Sequence, residues 1–163
     1  NILLAQTAGE FTDKLTQAGL ELILRKQQSI PMIDPNVDNA DLPDLVITAD
    51  SRHLWRIFDN LMGNICKYSQ PGTRVYIDLA TVDQCAQITF RNTSLYPLEQ
   101  STDALLERFV RGDSSRSTQG NGLGLSIAKN LAELMNGTLA LHVDGDLFKV
   151  IVTFPLAIEE EYN

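Results

Sequence analysis

One stretch of the chain carries the clearest helical pattern. Leu54, Ile57, Phe58, Leu61 and Ile65 fall on a single face if residues 51–68 wind into a helix. Asp50 stands just before the first turn, where a carboxylate can accept backbone N–H bonds, and Gln70-Pro71-Gly72 ends the run. A second helix is expected over residues 124–135, with Asn136-Gly137 as its stop signal. Shorter helices are expected within residues 8–18 and over about 103–109. Apolar runs predict strands at 20–24, 45–48, 74–80, 85–91, 139–143 and 148–154. Val82-Asp83-Gln84 and Asp144-Gly145 read as the turns of two hairpins. Residues 31–43, 92–100 and 111–121 are polar and read as loops, the last of them mobile. Helices interspersed with hairpin-linked strands predict an α+β fold. The expected form is a two-layer α/β sandwich whose mixed, mainly antiparallel sheet is covered by helices on one face.

Composition narrows the class. With 163 residues, 44% of them hydrophobic and 21% charged, the chain fits one globular domain with its own core, spanning 1–163. The net charge of −8 repels the phosphates of DNA and RNA on average, so nucleic acid is excluded as a partner. A small anion is a different matter, since helix N-termini and a few basic side chains can bind it locally. No apolar stretch approaches the ~20 residues needed to cross a bilayer, so no direct membrane contact is expected of this domain. The chain opens without an initiator Met or the basic lead of a secretory signal, and reads as a piece of a longer protein. Cys66 and Cys85 lack C-x-x-C spacing. They suggest neither a metal site nor a disulfide framework, but reduced, buried thiols in a cytoplasmic setting.

Three features carry candidate chemistry. Asn60, Asn64 and Lys67 lie at i, i+4 and i+7 on the long helix, a polar stripe about 100° around from its apolar face. Asn inside a helix costs a few tenths of a kcal/mol relative to Ala, roughly, so two in register with a Lys invite explanation. Amide oxygens are hard ligands for magnesium and an ammonium meets phosphate charge; a solvent-exposed polar face is the alternative. Next, Gly120-Asn121-Gly122-Leu123-Gly124 immediately precedes a helix, where backbone N–H groups can approach phosphate. It is not a P-loop, because Leu125 and Ser126 stand where Lys and Ser/Thr belong, and no strand precedes it as a dinucleotide fingerprint requires. A plain helix-start turn explains the isolated pattern equally well. Lastly, Arg108 and Arg111 flank Phe109, with Arg116 beyond; they can cover a triphosphate or pair with Glu107 and Asp113.

Taken in order, these features resemble the histidine kinase branch of the GHKL ATPases. The segment LWRIFDNLMGNICKYS (54–69) is similar to that family's N box, and LERFVRGDSSRSTQGNGLGLSIAK (106–129) to its F box, lid and G2 box. The likeness spans about 45–157, and residues 1–44 match loosely. It implies a Bergerat-type sandwich that binds Mg-ATP beneath a mobile lid. Carried over by position, Asn64 would ligate Mg2+, with Asn60 near the phosphates. Lys67 would contact phosphate and Tyr68 would line the adenine pocket. Arg108 or Arg111 would reach the γ-phosphate and Phe109 would anchor the lid. Gly120, Gly122, Leu123 and Gly124 would wrap the phosphates.

One box departs from the family. Where Asp-x-Gly-x-Gly is usual, this chain has Asn92-Thr93-Ser94-Leu95-Tyr96. Asn92 can still accept a hydrogen bond from the adenine amino group, but without charge assistance, a loss of about 1 kcal/mol or more if desolvated. The resemblance further implies transfer of the γ-phosphoryl group to a histidine on a separate dimerisation and phosphoacceptor domain. A response regulator would be served through that domain, in the cytoplasmic part of a membrane-anchored sensor kinase. His53 and His142 lack the setting of an acceptor and are expected to be structural or surface residues. Two other readings compete. ATP hydrolases of the gyrase and chaperone type place a Glu where Asn60 stands, and a degenerate, non-catalytic interaction module would account for the altered 92–96 segment.

Overall fold

A computed structural model describes residues 2–27, 45–96 and 124–157. Two short helices open the chain, α1 (Ile2–Glu10) and α2 (Thr12–Gln17), followed by strand β1 (Glu21–Gln27). The long helix α3 (Ser51–Tyr68) leads into the hairpin β2 (Arg74–Val82) and β3 (Cys85–Thr93). Helix α4 (Gly124–Leu134) and the hairpin β4 (Thr138–Asp144) and β5 (Leu147–Pro155) complete the described fold. The strands form one sheet in the order β1-β2-β3-β5-β4. Only β1 and β2 run parallel, and the other three pairings are antiparallel.

Alternation along the strands makes one face of the sheet apolar. Val75 and Ile77 of β2, Ile88 and Phe90 of β3, and Val150, Val152 and Phe154 of β5 are buried on it. Against that face lie Ile57, Phe58, Leu61, Met62 and Ile65 of α3 and Leu125, Ala128 and Ala132 of α4. The α3 stripe is the one the sequence predicts, widened by Met62. Phe58 and Phe90 lock helix to sheet with ring centroids 6.0 Å apart, tilted by 47°. Leu4, Ala8, Phe11 and Leu15 extend the same core beneath α1 and α2.

The opposite face of the sheet is polar and tied by charge. Asp78 of β2 accepts from Arg25 Nε of β1 at 2.6 Å and from an Arg91 Nη of β3 at 2.5 Å. Both guanidinium groups also lie about 5 Å from the Tyr76 ring, at 5.0 and 5.2 Å. The contact with Asp78 holds the Arg25 guanidinium above its ordinary range.

Several expectations shift. The amino-terminal helix begins earlier than residue 8 and breaks at Phe11 into two. β1 starts at Glu21 and continues to Gln27, since its parallel partner β2 offers hydrogen bonds beyond the apolar run. Residues 45–48 are not a strand: only Ile47 bridges, to Leu156. The 92–100 loop begins later than its polarity suggests, because Asn92 and Thr93 continue β3 opposite Phe148 and Leu147. Cys66 and Cys85 are free but only half-buried. Among the described residues no helix is long and apolar enough to cross a membrane. The expectations for 31–43, 103–109 and 111–121 lie outside the described residues, as do Arg108, Phe109, Arg111, Gly120, Gly122 and Leu123.

Candidate functional site

Helix α3 carries most of the candidate residues, and both of its ends are fastened. At the start, Asp50 Oδ1 accepts from Arg52 N at 2.8 Å, as expected of its place before the first turn. Its other oxygen lies 2.9 Å from an Arg52 Nη, and this contact holds the Asp50 carboxyl well below the usual carboxylate range. At the far end, Gln70 N donates to Thr93 O and Leu95 N to Tyr68 O, each at 2.8 Å. Ser69 and Ser94 pair between them as an antiparallel bridge. The C-terminus of α3 is thereby joined to the end of β3.

At mid-helix, Asn60 and Asn64 are half-buried, turned toward the start of α4 rather than toward open solvent. Asn60 Nδ2 donates to Arg56 O at 2.7 Å. Its Oδ1 faces Gly124: a methyl group on that glycine would sit 3.3 Å from it. The same methyl would lie 3.4 Å from both Oδ1 and Nδ2 of Asn64. Three sequence-predicted residues from segments some sixty positions apart thus meet, with the N–H groups of the first α4 turn beside them. Lys67 is exposed, its Nζ 5.1 Å from the centre of the Tyr68 ring.

Toward the helix C-terminus, Tyr68 is 39% exposed, whereas Asn92 is only 5% exposed. Alternation along β3 puts Asn92 on the helix-covered face with Ile88 and Phe90. Eight residues separate Asn60 from Tyr68, about 12 Å along a helix axis. That interval is long enough for a nucleoside triphosphate to lie along α3 between the asparagines and Tyr68. The donor set fits magnesium and phosphate: hard amide oxygens, an ammonium and helix-start N–H groups bordering a position where even a methyl would crowd the amides.

Sequence reasoning does not single out Ser69, which proves 5% exposed beside these groups. Its only signal is adjacency to Tyr68. His142 is exposed in β4 opposite Lys149, and His53 is half-buried in the first turn of α3. Neither borders the Asn64–Gly124 contact. Burial pushes the Cys66 thiol up from its ordinary value.

Comparison with known proteins shows the family and the fold. Residues 49–158 match the family model described as histidine kinase-, DNA gyrase B- and HSP90-like ATPase. The swarming motility regulation sensor protein RssA of Serratia marcescens is 37% identical over 108 residues, covering 66% of this chain and 22% of RssA. The signal transduction histidine-protein kinase BaeS of Escherichia coli is 28% identical over 158 residues, 94% of this chain and 30% of BaeS. The chain therefore spans less than a third of the length of these relatives. The nucleotide-free catalytic domain of histidine kinase ThkA superposes with a TM-score of 0.74 at 19% identity, over 95% of this chain and 91% of that one. Full-length ShkA in complex with AMPPNP gives 0.71 at 23% identity, over 95% of this chain and 29% of that one. Both structures share the fold. With the family match spanning most of the chain and sensor kinases its relatives, the protein belongs to the histidine kinase-, DNA gyrase B- and HSP90-like ATPase family, in its sensor histidine kinase branch.

Proposed function

We propose that residues 1–163 form a single ATP-binding catalytic domain of a two-component sensor kinase, and that it transfers the ATP γ-phosphoryl group to a histidine of a separate dimerisation and phosphoacceptor domain. The observation that carries this reading is the close approach of Gly124 to Asn60 and Asn64, which sets the polar stripe of α3 against the start of α4. Asn64 would hold Mg2+ through its amide oxygen, with Asn60 and the N–H groups at Gly124 steadying the phosphates. Lys67 would place its ammonium against phosphate charge, and Tyr68 and Asn92 would bound the adenine. Arg108, Arg111 and Phe109 would close over the γ-phosphate, with Gly120, Gly122 and Leu123 wrapping the chain around it. When bound, magnesium neutralises charge on the transferring phosphoryl group. The protein's part is positioning and charge complementarity.

Hydrolysis is disfavoured by Asn60. A water-activating base would be needed there, and an amide whose Nδ2 is committed to Arg56 O accepts no proton at neutral pH. We further place the domain on the cytoplasmic side of a sensor kinase, with a response regulator served through the phosphoacceptor domain. A titration with Mg-ATP tests the reading directly. Binding at micromolar to low millimolar concentration is expected, together with a raised melting temperature. Asn64→Ala should abolish the magnesium dependence and weaken binding by about tenfold or more. Steady ATP turnover by the isolated chain would favour the hydrolase instead, and absence of any binding at millimolar nucleotide would favour an interaction module.

A further inference from the structure

The floor of the base end holds an unexplained group. Ser69 is 5% exposed, yet among the described residues its Oγ has no hydrogen-bond partner. A buried hydroxyl without a partner costs about 1–3 kcal/mol, so such atoms in a folded protein ask for a reason. The backbone shows where it lies. Ser69 pairs with Ser94 in the antiparallel bridge closed by the Gln70–Thr93 and Leu95–Tyr68 hydrogen bonds. Opposed residues of such a pair project to the same side, and Asn92, two positions before Ser94, shares that side. Ser69 and Asn92 are therefore diagonal neighbours, both 5% exposed, on the helix-covered face beside Tyr68. Ser94 is not an equivalent candidate, since its Oγ accepts from Tyr96 N at 3.3 Å.

We propose that Ser69 Oγ and the Asn92 amide together read the edge of the purine base, and that this pair admits guanine as well as adenine. The inference rests on the nucleotide-site reading above and extends it to the choice of base. A carboxylate at position 92 would only accept hydrogen bonds, which suits the adenine amino group and rejects the guanine carbonyl. An amide does both. With its oxygen toward the base it accepts from the adenine amino group while its nitrogen donates to the ring nitrogen beside it. Flipped, it donates to the guanine carbonyl and accepts from the neighbouring ring N–H. The Ser69 hydroxyl rotates between donor and acceptor in the same way, so neither base leaves a buried group unpaired.

Binding of Mg-ATP and Mg-GTP, measured by calorimetry on the folded chain, tests this. The wild-type affinities should lie within about tenfold of each other. Asn92→Asp should move the ratio toward ATP by more than tenfold, chiefly by losing GTP. Ser69→Ala should weaken both nucleotides by about three- to tenfold while leaving the melting temperature of the free protein unchanged or higher, which a structural hydroxyl would not do. A wild-type preference for ATP above a hundredfold, or a Ser69→Ala protein that binds both as wild type does, overturns the proposal while leaving the nucleotide site standing. Binding of neither nucleotide at millimolar concentration removes the nucleotide-site reading and this inference with it. Should Asn92→Asp not fold, the wild-type ratio and Ser69→Ala decide the matter alone.

Discussion

At the scale of single residues, two glycines do opposite work. Gly124 leaves room that a ligand can use, whereas Gly137 leaves none. A methyl at Gly124 would meet amide atoms at 3.3–3.4 Å, which a side chain can relieve by shifting a few tenths of an ångström. Gly124→Ala should leave folding stability the same or raise it by up to about 1 kcal/mol, because Ala favours the helix. It should nevertheless weaken Mg-ATP binding by about tenfold by displacing Asn60 and Asn64, a split that urea unfolding and a nucleotide titration read separately. A methyl at Gly137 would sit 2.6 Å from the Phe154 ring and 2.7 Å from Thr153 O, too close for either to accommodate in place. Gly137→Ala is expected to destabilise by about 1–3 kcal/mol, measured as a lowered urea midpoint with nucleotide affinity preserved in the folded fraction. Asn60, Asn64 and Lys67 were legible in the sequence because helical spacing alone ranks them on one face. Ser69 was not: its burial comes from the bridge to Ser94, a contact between segments that no local pattern encodes.

Elements were legible where periodicity and capping agreed. Helix α3 begins after Asp50 and ends at Tyr68 as its pattern predicts, because the cap, the apolar stripe and the Pro-Gly stop all concur. The end of α4 shows how a correct boundary can hide its mechanism. Asn136, not Gly137, takes the left-handed backbone at φ 58. Gly137 N then donates to Ala132 O at 2.8 Å and Asn136 N to Glu133 O at 3.1 Å, a Schellman closure. The glycine that follows is needed for proximity to Phe154 instead. Residues 45–48 misled for the reverse reason, their apolar composition imitating a strand that has only one bridging partner. The Asp50 cap carries a pH signature. Its folded-state pKa lies below the unfolded value, so its stabilisation is fully present above about pH 4 and is lost as pH falls through the folded value. Comparing wild type with Asp50→Asn, the difference in urea midpoint should be constant from pH 5 to 8 and should shrink toward zero in strong acid.

Over the whole molecule, the sandwich is held by apolar packing on one face and by charge on the other. Asp78 is 8% exposed and serves two arginines from different strands, so its loss leaves both guanidinium groups without their anion. Asp78→Ala should cost about 2–3 kcal/mol in urea unfolding, and because the outer face is remote from Asn64 and Gly124 it should leave Mg-ATP affinity in the folded protein unchanged. The fold class was legible from element order alone. The position of β1 was not, because parallel pairing with β2 depends on chain segments far apart in sequence. That pairing also lacks the short turn that holds each hairpin together. Each antiparallel hairpin closes through a turn of a few residues, but Arg25 meets Asp78 across a separation of 53 positions. With one neighbour in the sheet and no turn tying it to that neighbour, β1 should be the first strand released, so that this edge of the sheet opens and recloses while the α3–β3 joint stays shut.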